Sequence, residues 1–251
     1  MPGRPASGAP RRIGVVNPNT TVAMTDLAAS CARAVVDPGT EIVARTNRRG
    51  PASIESHYDE AMAVPGLLDE ITRCESEGVD GYVIACFGDP GLDAARELAR
   101  GPVLGIAEAG MRAASMVGRS FSIVTTLGRT IGQAEHLVAR YGYAASCHSI
   151  YACEVPVLEL DEPGSEARKL VVELCRRAVE TDQADSVVLG CAGMADFCDQ
   201  VSEEVGVPVI DGVRAGVAFV DALLRLGLQT STRSEYASPI PKELKNPGLS
   251  L

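Results

Sequence analysis

The sequence has 251 residues, of which 46% are hydrophobic and 22% charged, and its formal net charge at pH 7 is −10. This length allows a substantial core, in one large domain or two small ones. The negative charge, with no lysine/arginine cluster interleaved with aromatic residues, excludes a nucleic-acid surface. No apolar run reaches the roughly 18 residues that a transmembrane helix needs.

The first twelve residues are rich in proline, glycine and alanine and lack the apolar stretch of a secretory signal, so residues 1–12 are predicted to be a flexible leader of a cytoplasmic protein. The eight cysteines do not have the spacing of a disulfide scaffold. Cys147-His148 has no partner motif, so no metal site is predicted. None of the three lysines ends a predicted strand, which leaves a Schiff-base cofactor without an anchor.

Strands and helices alternate along the first part of the chain. A glycine-flanked apolar run at residues 83–85 is typical of a buried strand, and Cys86 follows it directly. Asp89 is predicted to be the N-cap of a helix that begins at Pro90. The other predicted elements are a strand at 13–16, a helix ending near 36, a strand at 41–45, a helical turn from Ser56 to residue 63, a separate helix from Pro65 to 77, a strand at 102–106 and a helix at 107–117.

The same order then begins again. Cys191 follows a second buried strand and precedes a turn of small residues. Residues 229–251 are polar and are predicted to be disordered or to form an arm on a neighbouring subunit, with the arm favoured. The other predicted elements are strands at 121–124, 152–157, 187–189 and 208–211, helices at 129–140 and 166–181, and a last helix ending near 226.

Three landmarks recur at a nearly constant distance, which indicates a duplicated unit. The strands at 14–16 and 122–124 are offset by 108 residues, Cys191 follows Cys86 by 105, and the segment 208–216 follows the segment 102–110 by 106. We therefore predict an α/β fold of two similar parallel-sheet halves related by a pseudo-two-fold axis. One half comprises residues 13–106 with 214–228, and the other comprises residues 107–213. Ligands bind beyond the carboxyl ends of parallel strands, so Cys86 and Cys191 should face one cleft between the halves.

Two opposed thiols suit the inversion of a carbon centre. One thiolate can remove a proton from one face while the other thiol delivers a proton to the opposite face. Each cysteine is predicted to lie against a helix N-terminus, which would lower its thiol pKa. Backbone N–H groups after each cysteine could stabilise the enolate oxygen.

The chain resembles the aspartate/glutamate/hydantoin racemase superfamily, and within it the hydantoin and allantoin racemases. This resemblance implies a cofactor-independent, two-thiol racemase of 5-substituted hydantoins that forms a homo-oligomer, with Cys86 and Cys191 as the catalytic residues. The motifs that carry it are Asn17-Pro18-Asn19-Thr20, Gly50-Pro51 with Ile54-Glu55-Ser56, Ala85-Cys86-Phe87-Gly88-Asp89-Pro90-Gly91-Leu92, Val124-Thr125-Thr126-Leu127 and Leu189-Gly190-Cys191-Ala192-Gly193-Met194-Ala195.

Departures from the amino-acid racemase branch favour a neutral ring as the substrate. That branch carries polar pairs after its cysteines, whereas this chain has Phe87-Gly88 and Ala192-Gly193. The predicted substrate-binding residues are Asn17, Asn19, Phe87, Gly88, Thr125, Thr126, Ala192 and Gly193.

Several roles stay open at this point. Asn17 and Asn19 could match the amide groups of a ring or only shape a turn. Asp89 is expected to act as a helix cap rather than an acid, and Glu55 could contact the substrate or close a loop. The rival functions are an amino-acid racemase, an enzyme resembling arylmalonate decarboxylase or maleate isomerase, and a ligand-binding protein without turnover. The substituent at C5 and the size of the oligomer are not determined by the sequence.

Overall fold

Two four-stranded parallel sheets form the framework of the protein, a computed structural model of which describes residues 10–160 and 166–242. Their strand orders are β2-β1-β3-β4 and β6-β5-β7-β8, so each strand of the first sheet has a counterpart in the second. The predicted α/β fold of two similar halves is confirmed. The strands are β1 (Arg11–Asn17), β2 (Thr40–Thr46), β3 (Gly81–Ile84), β4 (Val103–Gly105), β5 (Phe121–Thr125), β6 (Cys147–Ala152), β7 (Val187–Leu189) and β8 (Val209–Asp211).

Helices connect the strands, as parallel pairing requires. Short 3-10 segments, among them Val157–Glu159 and Ala192–Phe197, interrupt this pattern in the second half. The α-helices are α1 (Val22–Arg33), α2 (His57–Ser76), α3 (Leu92–Leu98), α4 (Ile106–Val117), α5 (Ile131–Arg140), α6 (Glu166–Glu180), α7 (Cys198–Val205) and α8 (Gly212–Arg225).

The main hydrophobic core lies between the two sheets. Val83 of the first sheet and Val188 of the second belong to one buried cluster with Met111 of α4 and Val217 of α8. Helix α4 packs on β7 and β8, while α8 packs on β1, β3 and β4. The predicted division, with residues 107–213 in one half and 214–228 in the other, stays a prediction that these contacts favour.

Two predicted elements are wrong. Helix α2 runs unbroken through Pro65, where the sequence indicated two separate helices. Its fully buried residues Ala63, Leu67 and Ile71 are spaced by four and continue across the proline, so packing of this face outweighs the lost N–H. The second error is β6, which covers Cys147–Ala152 instead of residues 152–157 because its half-buried side chains lack a continuous apolar run.

The described part of the C-terminal segment contacts its own chain, and the predicted arm on a neighbouring subunit stays a prediction. The backbone N–H of Thr230 donates to the Arg100 carbonyl oxygen at 3.2 Å, and the Arg96 guanidinium lies over the Tyr236 ring. Residues 1–9 of the predicted leader, residues 161–165 and residues 243–251 lie outside the described residues. Within the described ranges, no helix is both long and apolar enough to cross a bilayer.

Candidate active site

One cavity lies at the carboxyl ends of the strands, and both halves of the protein line it. Cys86 follows β3 and Cys191 follows β7, two strands in equivalent positions of their sheets. The free space inside it is narrow, with a volume of about 50 Å³. The predicted site residues that line it are Asn19, Cys86, Phe87, Gly88, Thr125, Thr126, Cys191 and Ala192.

Cys86 lies in a turn rather than at the start of a helix. The backbone N–H of Asp89 donates to the Cys86 carbonyl oxygen at 3.0 Å, and α3 begins only at Leu92, after Gly91 in the left-handed conformation. Burial raises the pKa of the Cys86 thiol to about 12, although a hydrogen bond from the Gly88 backbone opposes the shift. Nearby Cys191 and the carboxylates of Glu60 and Asp89 raise this pKa further. The predicted lowering of the Cys86 pKa is therefore wrong, because desolvation and acidic neighbours outweigh the backbone donor.

Asp89 is a helix cap, but of a different helix from the predicted one. Its two carboxylate oxygens accept hydrogen bonds from the backbone N–H groups of Ala107 and Glu108, at 3.0 and 2.9 Å, in the first turn of α4. The Tyr141 hydroxyl donates a third bond at 2.7 Å. These contacts fix the turn after Cys86 against the helix that runs into the second half.

Cys191 directly precedes the 3-10 helix Ala192–Phe197. The Gly193 backbone N–H donates to Cys191 Sγ at 3.4 Å. A donor at this position stabilises negative charge on the sulfur. Gly193 therefore contacts the thiol from outside the cavity lining, while its neighbour Ala192 lines the cavity.

The two asparagines of the first turn have different positions. Asn17 is buried behind the cavity, where its Nδ2 donates to Asn19 Oδ1 at 2.8 Å and to Thr25 Oγ1 at 3.1 Å. Asn19 lines the cavity, with its Nδ2 3.3 Å from the Met24 sulfur. Asn17 thus orients Asn19, and of the two only Asn19 lines the cavity.

Hydroxyl groups line the opposite side. Thr125 ends β5, and its Oγ1 lies 3.2 Å from Thr130 Oγ1 and 3.4 Å from the Gly190 carbonyl oxygen. Thr126 adjoins it in the cavity wall. These threonines come from the same turn of the second half that Asn19 occupies in the first.

Two contacts across the cavity were not predicted from the sequence. Glu60 of α2 lines the cavity, and its Oε2 accepts a 2.9 Å hydrogen bond from Gln133 Nε2 of α5. Glu55 Oε1 accepts a 2.8 Å hydrogen bond from the Val157 backbone N–H. Both pairs join segments more than 70 residues apart in the chain, and no local pattern signals such a pairing.

The residues available for a metal are few. Cys147 Sγ donates to the Ser149 carbonyl oxygen at 3.7 Å, and His148 Nδ1 lies 2.9 Å from the Asp182 carbonyl oxygen, outside the cavity. Across residues 10–160 and 166–242, no three His, Cys, Asp or Glu side chains are grouped so that they could hold a metal ion.

Comparison with known proteins places this geometry in a family. The curated hydantoin racemase of Pseudomonas sp. (strain NS671) is 46% identical over 232 residues, covering 92% of this chain and 93% of that protein. The structure of allantoin racemase from Klebsiella pneumoniae superimposes with a TM-score of 0.92 at 51% identity, covering 94% of this chain and 96% of that one. Allantoin racemase from Pseudomonas fluorescens gives a TM-score of 0.89 at 38% identity, with 93% and 99% coverage. The model of the Asp/Glu/hydantoin racemase family matches residues 13–220. The chain is an isomerase that belongs to the Asp/Glu/hydantoin racemase family.

Proposed function

We propose that this protein racemises 5-substituted hydantoins, allantoin among them, by proton transfer at C5 between two cysteines and without a cofactor. The observation that carries the proposal is the pair of thiols, Cys86 and Cys191, in one cavity at equivalent strand ends. Relatives named hydantoin racemase and allantoin racemase, which this chain matches over more than nine-tenths of its length, support the substrate class.

In the proposed reaction one cysteine is a thiolate and the other a thiol. The thiolate removes the C5 proton, and the electron pair of the broken C–H bond delocalises onto the adjacent carbonyl oxygen as an enolate. The second thiol then gives its proton to the opposite face of C5, which leaves the thiolate on the other side. Burial keeps Cys86 protonated in the resting protein, which suits it to donate first. The Gly193 N–H donates to Cys191 Sγ, as the Gly88 backbone does to the Cys86 thiol, so each cysteine has a backbone donor that stabilises its thiolate when it forms.

The enolate oxygen needs hydrogen-bond donors, and the sequence favoured backbone N–H groups after the cysteines. The N–H of Gly193 is directed at Cys191 Sγ instead, and that of Asp89 at the Cys86 carbonyl oxygen. Side-chain donors at the cavity wall include the Asn19 amide and the hydroxyls of Thr125 and Thr126. We therefore assign them to the carbonyl oxygens of the ring.

The charges around the cavity favour a neutral substrate over an amino acid. Among the described residues that line it there is no lysine or arginine, whereas Glu60 contributes a carboxylate. The α-carboxylate of aspartate or glutamate would have no cation there and would be buried unpaired, at a high cost in binding free energy. A cyclic ureide has no such charge to bury.

The test is a side-by-side measurement of optical activity. Single enantiomers of allantoin, a 5-alkylhydantoin and a 5-arylalkylhydantoin should lose their circular dichroism in the presence of the protein, with or without a chelator, while aspartate and glutamate keep theirs. Turnover of the amino acids alone would establish the amino-acid racemase branch. Gas evolution from an arylmalonate would establish a decarboxylase, and binding without turnover of any compound a sensor.

The homo-oligomeric state and the cytoplasmic location remain part of this proposal. Light scattering of the purified protein reports the first, and fractionation of the source cells reports the second.

A further inference from the structure

The Glu60 carboxylate is held in place from both halves of the protein. Its Oε2 accepts the hydrogen bond from Gln133 and lies 3.7 Å from His57 Nδ1. The side chain is 22% exposed, although it lies in the wall of the cavity with the two thiols. Oε2 is therefore fixed by the protein. Because the carboxylate is rigid, this also fixes the direction in which Oε1 points.

That second oxygen, Oε1, faces the turn after Cys86. A Cβ atom added at Gly88 would lie 2.6 Å from it, so the carboxylate packs directly on this glycine. In the described part of the chain, no hydrogen-bond donor reaches Oε1. Because no buried side-chain oxygen there lacks a hydrogen-bond partner, Oε1 must be accessible from outside the protein.

The partly buried but accessible Oε1 of Glu60 favours a ligand that carries an N–H donor. Burial raises the pKa of Glu60, since the carboxylate has lost part of its hydration. A donor N–H restores that loss, and a hydrogen bond to a charged acceptor is stronger than one between neutral groups. Asn19 and the threonines can donate to carbonyl oxygens, which leaves Glu60 as the carboxylate acceptor in the described wall.

We propose that Glu60 Oε1 accepts a hydrogen bond from a ring N–H of the bound cyclic ureide. The assignment rests on the proposed function, because it requires a ring that carries N–H groups. Glu60 would then hold the ring beside Gly88, two residues from Cys86, and so orient C5 toward that thiol. It also gives the site a means of rejecting anions, which would meet the same carboxylate.

The test combines one substitution with two changes of the substrate. Glu60→Gln keeps the shape of the side chain and can still pair with Gln133, but it turns an NH₂ group toward the cavity. Oxazolidine-2,4-diones replace the ring N1–H by oxygen without added bulk, and 3-methylhydantoins remove the N3–H donor. Racemisation of each compound by the unaltered protein and by Glu60→Gln is measured by circular dichroism.

We expect the unaltered protein to lose about 10- to 100-fold in kcat/KM when the paired N–H is removed, the value of one hydrogen bond to a charged group. Glu60→Gln should lose a similar factor on the parent hydantoin but little more on the analogue that lacks the donor. If both analogues lower kcat/KM of the variant by the same factor as they lower that of the unaltered protein, the assignment is wrong. If the unaltered protein racemises no hydantoin at all, the proposed function itself is wrong.

Two further variants complete the design. Glu135→Gln makes the same change of charge at an exposed position of α5, outside the cavity. It should leave the ratio of kcat/KM between the hydantoin and each analogue as it is in the unaltered protein. Glu60→Asp keeps the charge but withdraws it by one methylene, and should show the same dependence on the donor with a smaller loss. If Glu60→Gln does not fold, the kinetics of Glu60→Asp with the hydantoin and the two analogues test the assignment instead.

Discussion

The carboxylate of Asp89 occupies the place where a side chain at Gly105 would begin. A Cβ atom added at Gly105 would lie 2.0 Å from the carboxylate carbon and from Oδ1 of Asp89. The counterpart of Gly105 in the second half is Asp211, whose own side chain caps α8 through the N–H groups of Val213 and Arg214. Both halves thus use an aspartate to cap the equivalent helix. In the second half Asp211 directly precedes the helix α8 that it caps, whereas in the first half Asp89 comes from the turn after Cys86 and caps α4.

Because the buried carboxylate of Asp89 caps α4, the free energy of unfolding depends on whether Asp89 is ionised. Burial raises its pKa from 3.8 to about 7, although the hydroxyl of Tyr141 and two backbone N–H groups oppose the shift. The folded state therefore binds this proton more tightly than the unfolded state does. The contribution of Asp89 to the free energy of unfolding is complete below about pH 3.8 and is lost as the pH rises through about 7.

We predict that the free energy of unfolding of the unaltered protein, minus that of Asp89→Asn, decreases between pH 4 and pH 7 by on the order of 1–4 kcal/mol and then levels off. Urea denaturation across this range measures it. Asp26→Asn, at an exposed position of α1, is the matched control and should give a smaller change. A difference that increased with pH would mean that the carboxylate is stabilised, not penalised, by its surroundings.

A second prediction concerns the hydrogen bond between Glu55 and Val157. Glu55 does not line the cavity, but its neighbour Ile54 and its partner Val157 do, so the bond fixes two parts of the wall that come from different halves. Glu55→Ala should lower kcat/KM for a hydantoin about tenfold, mainly through KM, because a hydrogen bond to a carboxylate is lost and the wall loosens. Glu159→Ala, an exposed change in the same 3-10 helix, should have little effect. Equal kinetics for the two variants would leave Glu55 without this role.

The third prediction tests the two thiols. Cys86→Ser and Cys191→Ser should each reduce racemisation at least about a hundredfold, and the double variant should be little worse, because the two residues act as a pair. A single variant should still exchange the C5 proton of one enantiomer with deuterium, since one base survives. Cys147→Ser, outside the cavity, should racemise normally. Near-normal racemisation by either catalytic variant would disprove the two-base mechanism.

Strand and helix periodicity, together with the internal repeat, was enough to predict the framework of the protein. Both sheets, seven of their eight parallel strands and the cysteines after β3 and β7 were predicted in this way, whereas β6 was misplaced. The features that the sequence missed depend on contacts between distant segments. The sequence predicts that Asp89 caps the next helix, because capping rules apply to residues close together in the chain. Its first observed partner, the N–H of Ala107, lies eighteen residues later.

The same reason explains the errors at the site. The backbone around Cys86 predicts a lowered thiol pKa, but burial and the carboxylate of Glu60 act in the opposite direction. Glu60 lies 26 residues before Cys86, and its hydrogen-bond partner Gln133 lies in the other half. No periodicity connects these positions.

The last prediction concerns that reversed pKa. Because burial raises the pKa of Cys86 to about 12, its thiolate is scarce near neutral pH, and alkylation by iodoacetamide should accelerate by about tenfold for each pH unit between 7 and 10. Glu60→Gln removes a negative charge that raises this pKa, so it should lower the pKa and speed alkylation at each pH, whereas Glu135→Gln should not. Mass spectrometry of the peptide that contains Cys86 separates this thiol from the other seven. A rate for Cys86 that is already constant above pH 8 would instead indicate a resting thiolate, and the order of proton transfer proposed here, with Cys86 as the first donor, would have to be reversed.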